Sequence, residues 1–513
     1  MPENLEMHST EYVSFSHYRN YWKPIYLKRF IAYKLGILKL LRIPTFIKLF
    51  LKNIKKHSQK KNLSSLAAEK LGVDVNKIEI VDHHLLHILA SFYFVDTNKK
   101  YLCFSIDGIG DNLSAKVGIW ENNKFTTLSQ TIGSTLGAVY MYVTLVLGMK
   151  PLEHEFKVMG MASYAKAEYV EKLKKVFYEL LWLDENGNFV SKVKRKYSID
   201  YLNFLIDKLM FERFDNICGA VQVFTEEILT QWIRFWVNKT GIKDITLGGG
   251  VMMNVKAAKK IYEMPEINSV FVTPSAGDES LVIGGLFYAN NKSNIPMTKI
   301  TDLYLGRQNA ETEIENYLKS VSDRYTYEKM SENELACEVA KLLAQNNVVA
   351  RCAGREEWGA RALGNRSILC NASHFKNIDI LNQYIKDRDF WMPFTPSILK
   401  EDIDKYIINP RKMPTPYMCI TFDSTELAQK HIPAALHPYD HTIRPQAVDS
   451  KTNPSYHKLL LEFKKLTGIS GLLNTSFNLH GQPNVSSIAD AIFTLDNSKL
   501  QYLAVENFLV RKK

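Results

Sequence analysis

A chain of 513 residues, 46% hydrophobic and 23% charged, has globular composition and is too long for one hydrophobic core, which excludes disorder and predicts at least two domains. No apolar run is long enough to span a bilayer, and the N-terminus, with Glu3 and Glu6, is not a signal peptide. The six cysteines at 103, 218, 337, 352, 370 and 419 form no C-x-x-C clip, so the expectation is a reduced, cytoplasmic protein. The net charge of +11 is local: the stretch 12–67 has no acidic residue and holds 13 Lys and Arg, and removing those from 65 leaves 52 against 54 Asp and Glu. A charge confined to one segment argues against nucleic acid as the partner of the whole protein.

In chain order, residues 26–52 mix Leu, Ile and Phe with basic residues at helical spacing around Pro44. They predict amphipathic helices lying on a larger body or on a membrane surface. The run 55–65 reads as a polar loop. KIEIVDHHLLHILASFYF, from Lys77, predicts a short strand and then a helix opened by histidines. YLCFSIDGIGDNLSAKVGIWENNKFTTLSQT predicts a strand, a Gly/Asp turn and a β-meander. A long amphipathic helix is expected over 217–239, followed by strand–turn–helix units in ITLGGGVMMNVKAAKKIY and VFVTPSAGDESLVIGGLFYAN. NKSNIPMTK (291–299) is the linker candidate. Beyond it come a helix at 332–346, the strand VVAR and a closing strand in QYLAVENFLVRKK. The pattern predicts two α/β domains, 1–298 with a basic helical excursion at about 23–66, and 299–513.

His83 and His87 lie at i and i+4 of the predicted helix, on one face, where they can share a metal ion. Asp107 and Asp278 each follow a hydrophobic strand, where a carboxylate projects into a cleft. Two histidines with carboxylates suit a hard or borderline divalent ion such as Fe, Mn, Zn or Mg. Gly248, Gly249 and Gly250 sit between strand and helix, fit equally for a tight structural turn or for backbone approach to an anion or nucleotide. In the second half, Arg361, Arg366, Lys386, Arg388 and Arg444 occupy glycine- or proline-punctuated segments, with the neutral groups of Ser476 and Asn478 beside them. Such a set suits a polyanion.

Five long blocks, EHEFKVMGMASY (153–164), GREEWGARALGNRSILCNAS (354–373), IKDRDFWMPFTPSIL (385–399), HTIRPQAV (441–448) and LLNTSFNLHGQP (472–483), closely resemble the signatures of NodU/TobZ-type O-carbamoyltransferases. The resemblance runs from about Tyr21. It implies an actin/Hsp70-like (Kae1-like) N-terminal domain and a YrdC-like C-terminal domain. The C-terminal domain would form carbamoyl adenylate from carbamoyl phosphate and ATP, with release of pyrophosphate and phosphate. The N-terminal domain would pass the carbamoyl group to an acceptor hydroxyl of a sugar, aminoglycoside or similar small molecule. By the same resemblance His83, His87, Asp107 and Asp278 hold the metal, with Fe2+ the first choice and Mg2+, Mn2+ and Zn2+ the alternatives. His83, His87, Lys157 and Asp278 make up the catalytic set. Gly248, Gly249, Gly250 and Asn254 fall to the nucleotide, and Arg361, Arg366, Lys386, Arg388, Arg444, Asn474, Ser476 and Asn478 to carbamoyl phosphate and ATP. For Lys157 an ion pair with Glu155 is the competing assignment. A homodimer is compatible with the family.

The family opens with a β-hairpin that this chain lacks, and Trp358, Ala360, Met392, Ala258 and Asn484 depart from the family's usual residues. Two alternatives follow. One is a tRNA-modifying, threonylcarbamoyl-type relative holding nucleic acid on the basic segment. The other is a non-catalytic protein that binds carbamoyl phosphate or nucleotide. The hydrogenase-maturation branch is excluded by the lack of zinc-finger cysteine pairs.

Overall fold

The computed structural model describes residues 63–192, 199–386 and 388–513. The amphipathic segment 26–52, most of the basic stretch 12–67 and the question of the leading hairpin lie outside the described residues. The chain divides into two compact units, Met1–Leu86 and His87–Lys513.

In the first unit, helix α1 (Leu63–Leu71) takes over the end of the expected polar loop. It stops at Gly72, whose φ of +65° lets the Val73 N–H reach back to Ala68 O at 3.1 Å. Residues 78–81 are not the predicted strand among the described residues; instead the Ile78 N–H reaches back to Val75 O at 3.1 Å. Helix α2 (His83–Ala90) begins after Asp82, whose carboxylate accepts from Leu85 N–H at 2.7 Å as an N-cap, and the helix continues into the second unit.

The second unit opens with the predicted meander. Strands β1 (Tyr101–Gly110), β2 (Leu113–Glu121) and β3 (Lys124–Ile132) pair antiparallel. Their two-residue turns, Asp111-Asn112 and Asn122-Asn123, all have positive φ, the conformation that matches strand twist and that Asp and Asn tolerate. Strands β4 (Leu181–Leu183) and β5 (Phe189–Ser191) form a separate small hairpin. β6 (Asp244–Gly248) and β7 (Ser269–Val272) add parallel to β1, giving the order β3-β2-β1-β6-β7. Helices α3 (Leu136–Val146), α4 (Glu155–Met161), α5 (Phe214–Thr240), α6 (Val255–Tyr262) and α7 (Ser280–Lys292) belong to this half. The helix expected at 217–239 starts earlier, and it ends on Gly241 at φ +71°.

Residues 293–310 contain neither helix nor strand. After them the chain builds an eight-stranded mixed sheet from β8 (Tyr325–Lys329), β9 (Val349–Cys352), β10 (Arg366–Cys370), β11 (Thr395–Leu399), β14 (Gln446–Val448), β15 (Gly471–Ser476), β16 (Tyr502–Val505) and β17 (Phe508–Lys512). β12 (Ile407–Ile408) and β13 (Asp423–Ser424) form a short ladder of their own. The order is β14-β11-β15-β10-β9-β16-β17-β8. Helix α8 (Glu332–Ala344), held by a Ser331/Glu334 capping box, and α9 (Pro454–Thr467) cover this sheet through Val339, Leu343, Leu459 and Phe463 against Leu369 and Leu472. The single closing strand expected at the C-terminus is instead a hairpin, reversed at Glu506 with φ +44°. Among the described residues no helix is long and apolar enough to cross a membrane.

Candidate active site

The first cluster of side chains rests on a bulge and a helix. The β1–β2 register skips from Ile106 to Gly110, a departure that turns Asp107 out of the regular ladder, and the Asp107 carboxylate accepts from Gly108 N–H at 2.6 Å. On α2, His87 is fully enclosed. Its Nε2 lies 3.1 Å from Asp107 Oδ2 and 3.7 Å from Asp278 Oδ1, while Nδ1 is 2.8 Å from Ser280 Oγ in the first turn of α7. His83 stands one turn earlier on the same helix. The ligand atoms offered by His83, His87, Asp107 and Asp278 all lie within 4.8 Å of one another. This donor set fits a divalent ion. The Ser280 contact at Nδ1 leaves Nε2 facing the carboxylates, as an outer partner does for a metal-binding imidazole.

The glycine run is what lets these elements meet. A Cβ on Gly248 would come within 2.7 Å of His87 O, one on Gly250 within 2.9 Å of Asp107 Oδ1, and Gly249 has φ +87° against the Ile106 backbone. Asn254 caps α6, accepting from Ala257 N–H at 3.0 Å, and exchanges side-chain hydrogen bonds with Gln222. Lys157 is not in the His/Asp set. It pairs with Asp389 at 2.8 Å rather than with Glu155, whose carboxylate accepts from Leu152 N–H.

The second cluster lies in the later sheet. Lys386 is buried, and its Nζ donates to Ser476 Oγ, Asn478 O and Asn478 Oδ1 at 3.2, 3.2 and 2.7 Å. Burial, with help from Arg388, holds its pKa well below the usual lysine range. Burial and then Arg361 bring Arg388 down to about 10, and burial followed by Arg361 and Arg388 lowers Arg444 strongly. Burial likewise lowers Arg361, opposed by Cys419 and Glu279. Buried cations that depress one another in this way have the chemistry to take up an anion. Arg444 Nε and Asn474 Oδ1 are buried without hydrogen-bond partners among the described residues, which leaves polar atoms in reserve for a ligand. Arg388 also donates to Pro393 O and Thr475 Oγ1 and stacks on Phe394. Arg366 stands apart. Its guanidinium donates to the carbonyls of Ala353, Gly354, Asn365 and Arg307, and so acts as a backbone clamp.

Sequence reasoning missed Ser280, Ser275, Glu279 and Cys419. The first three lie in the quoted stretch TPSAGDES. A polar turn opening a helix beside Asp278 was the available signal.

Residues 7–286 match the family model described as Carbamoyltransferase N-terminus, and residues 340–512 match Carbamoyltransferase C-terminus. The first match begins upstream of Tyr21, where the motif resemblance was expected to start. An uncharacterized protein of Methanocaldococcus jannaschii is 32% identical over 85% of this chain and 84% of its own length. The nodulation protein NolO of Bradyrhizobium diazoefficiens is 30% identical over 84% of this chain and 79% of its own. Among solved structures, T. kodakarensis HypF aligns at 13% identity and a TM-score of 0.27, over 44% of this chain and 38% of that one, a likeness too low to carry an argument.

Proposed function

The chain belongs to the carbamoyltransferase family, and on that premise we propose that it activates carbamoyl phosphate with ATP at the cation cluster and transfers the carbamoyl group to an acceptor hydroxyl at the His/Asp set. The observation that carries this reading is the pairing, inside one chain, of a buried cation cluster with a His/Asp ligand set. The order β3-β2-β1-β6-β7, with an antiparallel meander followed by parallel strands, supports a Kae1-like first domain. The eight-stranded mixed sheet is assigned to the YrdC-like part.

In the first half-reaction water releases phosphate from carbamoyl phosphate. The carbamate oxygen then attacks the α-phosphorus of ATP, and pyrophosphate leaves. Lys386, Arg361, Arg388 and Arg444 neutralise the phosphates, and Ser476 and Asn478 fix the Lys386 ammonium toward them. In the second, the acceptor hydroxyl attacks the carbamoyl carbon of carbamoyl adenylate, AMP leaves and the hydroxyl proton passes to solvent. A divalent ion held by His83, His87, Asp107 and Asp278 supplies Lewis-acid polarisation there. Ser280 fixes the His87 ring, and the glycine turn holds Asp107 in place. The acceptor is a small-molecule hydroxyl, of a sugar or aminoglycoside.

The test incubates the protein with carbamoyl phosphate, α-labelled ATP and Fe2+ or Mg2+, and follows AMP and pyrophosphate. Turnover that needs carbamoyl phosphate and disappears in Lys386→Ala supports the first half-reaction. Binding of carbamoyl phosphate without turnover sinks it and leaves a binding protein.

A further inference from the structure

The turn that carries Asp278 meets the loop that carries Arg361 through one side chain. Ser275 Oγ accepts from Ala360 N–H at 2.9 Å and donates to Glu279 Oε1. The Cys419 thiol, which donates to Tyr417 O at 3.4 Å, lines the same small cavity as Ser275, so a third segment comes to this point. Left-handed backbone recurs here, with φ +49° at Ser275, +104° at Gly359 and +56° at Met418. A Cβ on Gly359 would come within 2.7 Å of Ser275 Cβ, so glycine is what lets the loop close on the serine. Non-glycine residues hold such a conformation only where their surroundings fix it, and these positions gather at functional sites. Ser275, Arg361, Met418 and Cys419 line one small cavity together with Met252 and Met253. Arg361 lies in the field of Glu279, the acceptor of the Ser275 hydroxyl.

We propose that Ser275 is a positioning residue that couples the two sites. Its hydroxyl fixes the Arg361 loop against the Asp278 turn, so that filling the cation cluster changes the affinity of the His/Asp set for a divalent ion. The coupling rests on the two-site reading above. By linkage it runs in both directions, so an ion at the His/Asp set alters carbamoyl phosphate binding by the same factor. Ser275 touches none of the reacting groups. It acts through Ala360 and Glu279, each adjacent in sequence to a site residue.

The experiment uses the full chain, with Mn2+ and carbamoyl phosphate as probes. Free Mn2+ is followed by electron paramagnetic resonance, with and without saturating carbamoyl phosphate, in the wild type, Ser275→Ala and Ser275→Gly. In the wild type, carbamoyl phosphate is expected to shift Mn2+ affinity by about fivefold or more, and in both variants by less than about twofold, while each ligand alone binds within about twofold of normal. Ser275→Gly accepts the left-handed backbone without a side chain, so agreement between the variants assigns the effect to the hydroxyl and not to strain. If Ser275→Ala does not fold, Ser275→Gly carries the comparison. A wild type whose Mn2+ affinity ignores carbamoyl phosphate overturns the coupling, and so does a folded variant that keeps the full shift. Carbamoyl phosphate-dependent ATP–pyrophosphate exchange, run in parallel, reports only on activation. Absent exchange with the Mn2+ shift intact sinks the carbamoyl adenylate reading and leaves the coupling standing.

Discussion

The two clusters are built on opposite electrostatic plans. Around β1 and α7, imidazoles and carboxylates converge on a point that a cation satisfies, and backbone devices hold them there: a bulge under Asp107, a glycine turn against His87, a hydroxyl on Nδ1. Around β11 and β15, Lys386, Arg361, Arg388 and Arg444 are all lowered by burial; Arg388 acts on Lys386 and Arg444, Arg361 acts on Arg388 and Arg444, and Glu279 opposes the shift at Arg361. Lys386 and Arg388 have neutral hydrogen-bond partners, but burying like charges beside one another still costs folding stability, and an anion that arrives there recovers it. The first site is therefore organised by geometry and the second by unspent charge. Changes at the first should alter ion affinity, whereas changes at the second should alter stability and anion affinity in opposite directions.

The largest effect expected from breaking the comparison is at Lys386. Lys386→Ala should cut carbamoyl phosphate-dependent AMP formation by about 10²–10³-fold, on the scale of losing one transition-state donor, with Mn2+ affinity unchanged in the resonance assay. The mirror experiment is His87→Ala. Divalent-ion affinity should drop by about 100-fold while ATP–pyrophosphate exchange at saturating carbamoyl phosphate stays within about twofold; a loss of exchange under saturation would show that activation itself needs the His/Asp set. Ser280→Ala removes only the Nδ1 partner, and calorimetry should register a loss of about tenfold in ion affinity.

A pH series sharpens the contrast further. Lys386 has a pKa in the folded protein well below its ordinary 10.5, so the unfolded chain keeps this proton to higher pH than the native one does. Stability of the ligand-free protein should accordingly rise with pH between the depressed value and 10.5. Carbamoyl phosphate affinity should fall over the same window, because the anion binds the charged form. Titrations in buffers of differing ionisation heat should reveal proton uptake on binding. The smallest effect belongs to Arg444→Met, which relieves repulsion and should raise Tm by about 1–3 °C, while phosphate affinity declines by about tenfold. A lowered Tm would mean that Arg444 is a packing residue.

What the sequence disclosed follows from how local each signal is. His83 and His87 are separated by one helical turn, and Asp107 and Asp278 each follow a hydrophobic run into a Gly/Asp turn, so all four were readable without a fold. The meander was readable because Asp-Asn and Asn-Asn mark its turns. The contact between His87 and Ser280 spans 193 residues, and that between Ser275 and Ala360 spans 85, with no periodicity to announce either. Arg366 and Arg388 look alike in a string of letters, since each lies in a turn-rich block. Only the fold shows that Arg366 donates to four backbone carbonyls, whereas Arg388 donates to Pro393 O and Thr475 Oγ1 and is lowered by burial and then by Arg361. The closing hairpin was hidden because Glu506-Asn507 contains neither Gly nor Pro.

The place of that hairpin has a consequence for biosynthesis. β16 lies beside β9, and β17 lies between β16 and β8, so among the described residues β8 pairs with nothing else in the sheet. On the ribosome β8 is made early, and its ladder then waits for residues 508–512, about 10–40 seconds later at ordinary elongation rates. During that interval Tyr325–Lys329 is an open edge on a nascent chain. A premature stop just before residue 502 would spare every named residue of both clusters yet deprive β8 and β9 of the strands that join them, so the truncated product is expected to be drawn to chaperones and proteases rather than to work as a smaller enzyme.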